Sequence, residues 1–487
     1  MTKYKKIFLF LFTIWSLYVV ALLIRQNEIY GIETTDSYFY LKIAENSAFK
    51  NKFTHPVYSP GYSYFISALI YLGIETELAG RIISFIFGAG TVILTFIFLN
   101  ILLVVPNEKN HERESVALFS FMFLATNPKF VWACYSTLPY TTSTFFMWLS
   151  ITLSLILMKN RGKNISSKKD FLISITCGFL GGISYVVRPE MLIIIFIFLA
   201  ITKKPKLIFP FLIGYIISSL PYHIISYIEG NPPSFLSKLI LYKGGSLKES
   251  SSISHKDNIE KILSLQGYIK NFIFNFHLSH KYAIPGIITA SELIFIGMGI
   301  NKILKESKES AKLSLLIIII WCLFTFPIAI SADYFYIPVL PSISIFGGYG
   351  LLQLWDSKNK YAKLAILAFF IALNTAIFSQ PLYKDEGRKI YKIAGKWIKE
   401  NFGSENILIF EPFPFATFYA GGEWTTSPSK AKIWVISSLD YLSSRGKPEL
   451  MILDMTKIKE LSFAEPITEI NYRGIRLRIF KPPENTR

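Results

Sequence analysis

The chain has little cysteine, little charge and a shortage of acid. Its three cysteines, Cys134, Cys177 and Cys322, all fall inside apolar runs. That leaves no disulfide framework and no zinc site to read, and makes them small packing residues. Charged residues are 17% of the 487, against about 25% in an ordinary soluble domain. A Gly-rich phosphate loop and a nucleophile elbow are both missing, since Ala420-Gly421-Gly422-Glu423 has only the makings of a turn. Nucleotide-cradling and serine-hydrolase readings therefore drop out. The acids are too scattered for a strong magnesium site; no metal ligands are assigned and no cofactor is expected, a divalent cation being compatible but not indicated. No internal repeat is visible, and low complexity is confined to a serine-rich patch at 248–254.

What fills the chain instead is hydrocarbon. Hydrophobic residues are 52% and aromatics 16%, with a mean hydropathy of +0.40, which places the chain among polytopic α-helical membrane proteins. Apolar runs near the roughly 20 residues that cross about 30 Å of hydrocarbon fall at 7–24, 78–105, 115–135, 139–158, 171–188, 189–202, 207–228, 283–301, 313–331, 334–354 and 362–378. That is about eleven spans, with 60–73 a shorter, surface-lying helix. The first run follows three lysines like a signal peptide, yet no small-residue cleavage site follows it, so it reads as a retained anchor.

Lysine and arginine excess orients the set. Short basic loops at 159–169, 203–206, 302–312 and 358–363 fall on the side of Lys3, which the positive-inside rule makes cytoplasmic. The expected localisation is the plasma membrane, with the N-terminus cytoplasmic and the outer loops 25–77 and 229–282 and everything from 379 onward extracytoplasmic. The formal charge of +18 is then topology information plus affinity for anionic membrane lipids; nucleic acid is not an expected partner. Asn164-Ile165-Ser166 matches a glycosylation pattern but falls on the inner side, so it reads as a chance match.

Two domains follow: 1–378 in the membrane and 379–487 a soluble α/β domain. In the latter, 386–402 has helical spacing, 406–410, 432–437 and 449–454 read as short buried strands, and 467–480 as a hairpin turning at Gly474.

Polar residues at membrane depth carry the functional signal, because a central Arg, Lys or Asp disfavours insertion by about 2.5–3.5 kcal/mol. Asp36 opens the polar stretch 34–40 just outside the first span, and His55-Pro56-Val57-Tyr58-Ser59-Pro60-Gly61-Tyr62 follows. A carboxylate there, beside aromatic and proline-rich chain, points to chemistry on a lipid head group. Arg188-Pro189-Glu190 sits at a tight outer reversal; it reads either as a capped helix start or as a guanidinium presented to a lipid-linked phosphate, ordinary phospholipid being the plainer ligand. Arg81 and Lys129 are placed to neutralise the same phosphate, or, as the plainer reading, Arg81 anchors at the interface and Asn127-Pro128 kinks a helix. Asp333-Tyr334-Phe335-Tyr336 adds an acid and two phenols to the outer face, unless the tyrosines form an aromatic belt. His277 and His280, three apart, are a weak metal signal, and surface or packing roles suit them better.

Taken in order and by side, these features resemble the GT-C superfamily of integral-membrane glycosyltransferases, near the branch of dolichyl-phosphate-mannose–protein mannosyltransferases and aminoarabinose transferases. The resemblance rests on Asp36, on 58–62 leading to Gly73 and Arg81, on Asn127-Pro128, on Arg188-Pro189-Glu190, and on Asp333-Tyr334 before Pro338 and Pro341; 394–401 and 419–422 resemble the soluble domains of members. Many members have an acidic pair where this chain has Asp36-Ser37, Lys-Pro-Pro or His-Pro-Pro where it has Ser59-Pro60-Gly61, an acid near Tyr140, and Arg where it has Asp333.

The resemblance implies transfer of a sugar from a polyprenyl-phosphate donor to an acceptor hydroxyl of a lipid, glycan or protein, on the outer face, by an inverting single displacement. Asp36 is then the catalytic base, and Arg81, Lys129 and Arg188 answer the leaving phosphate. The remaining substrate-binding candidates are His55, Tyr58, Tyr62, Glu190, Asp333, Tyr334 and Tyr336. The rival is a transporter or flippase of lipid-linked sugars, against which no matched pair of interrupted hydrophobic segments is found.

Overall fold

The computed structural model describes residues 2–102, 110–159, 167–231, 290–306, 309–325, 333–355, 389–403, 407–411, 414–425, 432–437, 466–472 and 475–480, with isolated positions at 269, 273 and 288. The 229–282 loop beyond Asn231, His277, His280, the span at 362–378, the strand at 449–454, the serine-rich patch, the Asn164 pattern and the hairpin turn at Gly474 lie outside them. The chain divides into two compact units, Met1–Leu23 with Ile43–Phe378, and Ile24–Lys42 with Ser379–Arg487.

The first unit is helical. Among the described residues six helices are long and apolar enough to cross a membrane: Lys3–Glu28, Thr76–Ile101, Tyr140–Met158, Lys168–Val187, Pro205–Ile228 and Phe335–Trp355. Helices α5 (Asn110–Thr126) and α6 (Pro128–Tyr135) make a seventh if the pair, bent by 66°, counts as one span. The expected count of about eleven is thus not reached among the described residues. Pro189–Thr202, read as a span from its composition, is one of the shorter apolar helices; at 1.5 Å per residue it reaches only about 21 Å. Large apolar side chains such as Phe10, Leu17, Phe209 and Ile228 stand 66%, 66%, 67% and 75% exposed, which suits a lipid surround and makes this an integral membrane protein.

Helices α1 (Lys3–Arg25), α2 (Thr35–Phe49), α3 (Gly61–Tyr71) and α4 (Thr76–Leu102) precede the bent pair; α7 (Tyr140–Lys159), α8 (Ser167–Val187), α9 (Ile194–Thr202) and α10 (Ile208–Ile228) follow it. Small residues set the packing, as they do where lipid removes the hydrophobic drive between helices. A Cβ on Gly178 of α8 would stand 1.8 Å from the Phe211 carbonyl oxygen of α10, and one on Gly214 of α10 would stand 2.0 Å from the Ile175 carbonyl oxygen. Helices α11 (Ala290–Glu306), α12 (Glu309–Thr325) and α13 (Leu340–Trp355) close the described part of the unit. Helix α13 is buried nearly all round, from Leu340 to Leu352 with Ile343 alone half-buried, as expected of a central helix.

The second unit holds helix α14 (Lys389–Phe402), whose Ile390, Tyr391, Ala394, Gly395 and Ile398 are buried, an i, i+4, i+8 stripe. The short helix α15 (Phe415–Ala420) and a five-stranded sheet accompany it among the described residues. Strands β1 (Leu408–Phe410), β2 (Glu423–Thr425), β3 (Ile433–Ser437), β4 (Thr468–Tyr472) and β5 (Ile475–Phe480) lie in the order β2-β1-β3-β5-β4. The first three are parallel, and β5 runs antiparallel to both β3 and β4. The segment read as a bare turn does turn at Gly421, φ +72°, and then enters β2, which the sequence reading did not anticipate.

Candidate functional site

The bend between α5 and α6 is a helix cap. Asn127 is extended, Pro128 takes the first helical position, and the Asn127 side chain accepts from the Phe130 amide at 2.9 Å. Its amide nitrogen donates to Glu292 Oε1 at 3.1 Å. Helix α6 so begun carries Lys129 and Trp132 three apart, on one face, with Lys129 Nζ 4.4 Å above the Trp132 ring.

Helix α7 starts again at Tyr140 after a tight turn, and that turn is braced from α4. Arg81 Nη1 donates to the Tyr135 carbonyl at 2.7 Å, Ser84 Oγ to the Leu138 carbonyl at 3.1 Å, and Thr141 Oγ1 to the Ser84 carbonyl at 2.9 Å. Tyr62 is fully buried and donates its hydroxyl to the Gly80 carbonyl at 2.8 Å. Arg81, likewise 0% exposed, pairs with Glu77 one turn away at 2.8 Å. Of these two sequence candidates, Arg81 thus holds the start of the turn and Tyr62 bonds the α4 backbone one residue before Arg81; a guanidinium so enclosed and so tightly paired is a brace.

Arg188 is arranged otherwise. It is extended, at the start of a short 3-10 turn, Pro189–Ile193, so Pro189 does occupy the first-turn position. Glu190 reaches back to it with both oxygens, 3.3 Å from Nη2 and 3.4 Å from Nε. That is looser than the ~2.7–2.9 Å of a tight charge-assisted bond, and looser than the Arg81 pair. The guanidinium lies over two rings, 4.7 Å from the centre of Tyr140 and 5.1 Å from that of Phe335. Tyr140 in turn is 6.3 Å from Trp132. Lys129, Trp132, Tyr140 and Arg188 thus form one cation–ring–ring–cation ladder, running from half-buried Lys129 and Trp132 to buried Tyr140 and Arg188. Trp132, Tyr140 and Phe335 were not foreseen as site residues. Tyr336 is buried beside Phe335 in sequence, in the 3-10 segment Asp333–Val339 that Trp148 anchors through the Pro338 carbonyl at 2.8 Å. The side chains of Asp333 and Tyr334 lie outside the description.

The His55–Tyr62 stretch approaches this reversal through Gly61, where a Cβ would stand 2.6 Å from the Val186 carbonyl carbon and 2.7 Å from the Val187 nitrogen. No side chain fits there. His55 Nδ1 accepts from the Val57 and Tyr58 amides at 3.1 and 3.3 Å, which puts the proton of the neutral ring on Nε2. Burial pushes its pKa down to about 4, so His55 is a neutral group at physiological pH. Its ring stands 5.3 Å from that of Tyr58. Glu229, overlooked in the sequence, pins the start of this stretch by accepting from the Phe53 and Thr54 amides at 2.7 and 2.9 Å and from the Thr54 hydroxyl.

Asp36 belongs to the second unit. It lies half-buried in the first turn of α2, a helix started by Thr34, whose Oγ1 accepts from the Ser37 amide at 3.2 Å. Ser37 Oγ donates to Glu33 Oε2 at 3.3 Å, and Glu33 is buried. Two acids, Glu33 and Asp36, therefore flank the helix start, where only Asp36-Ser37 had been counted. Among the described residues no three His, Cys, Asp or Glu side chains converge as metal ligands.

No protein-family model matches the sequence, and no curated protein does. Solved structures do match. ArnT from Cupriavidus metallidurans in the apo state superposes with a TM-score of 0.56 at 11% identity, covering 98% of this chain and 98% of that one. ArnT bound to undecaprenyl phosphate gives 0.55 at 11%, with the same coverage. The apo Archaeoglobus fulgidus oligosaccharyltransferase gives 0.48 at 13%, over 87% of this chain and 65% of that chain, so this chain spans less than two thirds of its length. Over almost its full length, and at an identity that speaks for architecture alone, the chain shares the fold of ArnT.

Proposed function

We propose that the protein is a glycosyltransferase that moves a sugar from a polyprenyl-phosphate donor to an acceptor hydroxyl on the extracytoplasmic side of the membrane. The acceptor oxygen bonds to the anomeric carbon as the bond from that carbon to the phosphate oxygen breaks. The acceptor proton passes to Asp36, and the polyprenyl phosphate leaves as an anion that needs no general acid. One displacement inverts the anomeric centre.

The observation that carries this reading is the ladder ending at Arg188. Phosphate recognition asks for a planar cation held in advance of the ligand, and Arg188 is held by a loose two-point contact with Glu190 and by two rings. Lys129 at the other end supplies a second positive charge. Arg81 drops out of the phosphate set, its guanidinium being closed off by Glu77 and Tyr135. The like-folded ArnT is known with undecaprenyl phosphate bound, which supports the same class of carrier here.

The test is a panel of radiolabelled polyprenyl-phosphate sugars offered to purified protein with lipid, glycan and peptide acceptors. Transfer from one donor, lost in Asp36→Asn with donor binding retained, is the expected result. Movement of lipid-linked sugar across vesicles without any transfer would replace the enzyme with a flippase.

A further inference from the structure

We propose that the second unit is a mount for the acid-bearing segment, with Tyr419 as its positioning residue. This rests on the reading of Asp36 as the base.

The segment 27–39 is held at several points, before and after Asp36, by one small body. Lys392 of α14 donates to the Asn27 carbonyl at 2.6 Å, and its Nζ stands 5.1 Å from the Tyr419 ring centre. Tyr419 Oη accepts from the Ile32 amide at 2.9 Å. Directly before it Gly31 has φ +79°, and a Cβ there would lie 2.2 Å from Tyr419 Oη, so both conformation and space require glycine. Beyond Asp36, Tyr38 meets the Phe418 ring edge-on at 6.5 Å and Phe39 meets Trp424 of β2 at 5.9 Å.

The holder is itself fixed. Glu411, just past β1, accepts from the Ala416 and Thr417 amides at 3.1 and 2.6 Å and so secures the first turn of α15, the helix that carries Phe418 and Tyr419. Gly395 lets α14 lie against it, since a Cβ there would come within 2.5 Å of the Ala416 carbonyl oxygen. The chain path from Glu411 through α15 to Ile32 thus ends four residues short of Asp36. A general base works only within hydrogen-bond reach of the proton it takes, so fixing the backbone beside Asp36 fixes the reaction geometry.

The experiment uses full-length protein carrying Tyr419→Phe, which removes one oxygen. Amide exchange across residues 27–39 should rise about fivefold, the worth of one hydrogen bond, with the rest of the chain unchanged. The turnover number should fall by about tenfold to a hundredfold, the scale of a small misplacement of a reacting group, while KM for the polyprenyl-phosphate sugar stays put. Gly31→Ala, which attacks the same contact from the other side, should give the same kcat loss, and the two changes together should be far from additive. Unchanged exchange at 27–39, or faster exchange with wild-type kcat, overturns the mount. Full transfer by Asp36→Asn sinks the base assignment instead, and the exchange result tells the two failures apart.

Discussion

The Arg188–Glu190 pair separates a phosphate-binding role from a structural one. The side chains are 3% and 8% exposed, so Arg188→Gln removes the charge that pairs with a buried carboxylate. Removing one partner of a buried pair costs about 3–5 kcal/mol, and two ring contacts add about 0.5–2 kcal/mol each. The single variant should therefore be strongly destabilised and inactive, which alone decides nothing. The informative protein is Arg188→Gln/Glu190→Gln. Both charges are gone, the two amides can bond each other, and most of the lost stability should return.

Activity should not return with it. If Arg188 answers the charge on the leaving phosphate, the double variant loses about 10²–10³ in kcat, the usual loss on removing one electrostatic stabiliser. Thermal unfolding in detergent and transfer from the labelled donor, measured on the same preparations, give the two numbers. A double variant that regains both stability and wild-type transfer would refute the phosphate role and reduce the pair to a packing device.

Glu411 gives a pH test. Burial raises its pKa from the ordinary 4.5 to about 8, against the opposing pull of the Thr417 and Ala416 amides. The folded state then keeps a proton that the unfolded chain has lost between those values, so stability should fall as pH rises through that window and level off above it; in Glu411→Gln that slope should vanish from thermal melts of the full-length protein. Gly61→Ala drives a methyl into the Val186 backbone and should cost about 1–3 kcal/mol, seen as a lower unfolding temperature with poorer donor binding; an unchanged melt would remove Gly61 from the argument. Glu229→Ala leaves the Phe53 and Thr54 amides without their carboxylate, at about 1–3 kcal/mol, and should speed amide exchange at 52–58 while leaving α7 and α8 as they were.

Which of these features the sequence exposes follows from how local they are. Composition and run length identify the membrane bundle because lipid imposes one crude demand on every span. Composition overreaches at Pro189–Thr202, one of the shorter apolar helices, whose composition matches that of a span. Asp36 and Arg188-Pro189-Glu190 stand out because charge is conspicuous between apolar runs. The ladder does not, since Trp132 and Tyr140 lie on helices joined by a turn whose shape depends on Arg81 and Ser84 of a third. Glu77 and Arg81 are four apart, the spacing of a helical ion pair, so the pairing of Arg81 is itself legible in the sequence.

Charge inside an apolar bundle must be answered locally, and the two arginines buried among the described residues show two different answers. Arg81 meets Glu77 at 2.8 Å and a carbonyl at 2.7 Å, both tight, with no exposure on either side of the pair. Two short bonds to fixed groups hold the guanidinium in one place, which is what a brace requires. Arg188 meets Glu190 at 3.3 and 3.4 Å and lies over two rings, longer contacts that orient its guanidinium. A site that must accept and release an anionic leaving group on every turnover needs the second kind of arginine. On the proposed reading, the Lys129–Arg188 ladder is therefore a better phosphate site than Arg81, although sequence position alone ranks them together.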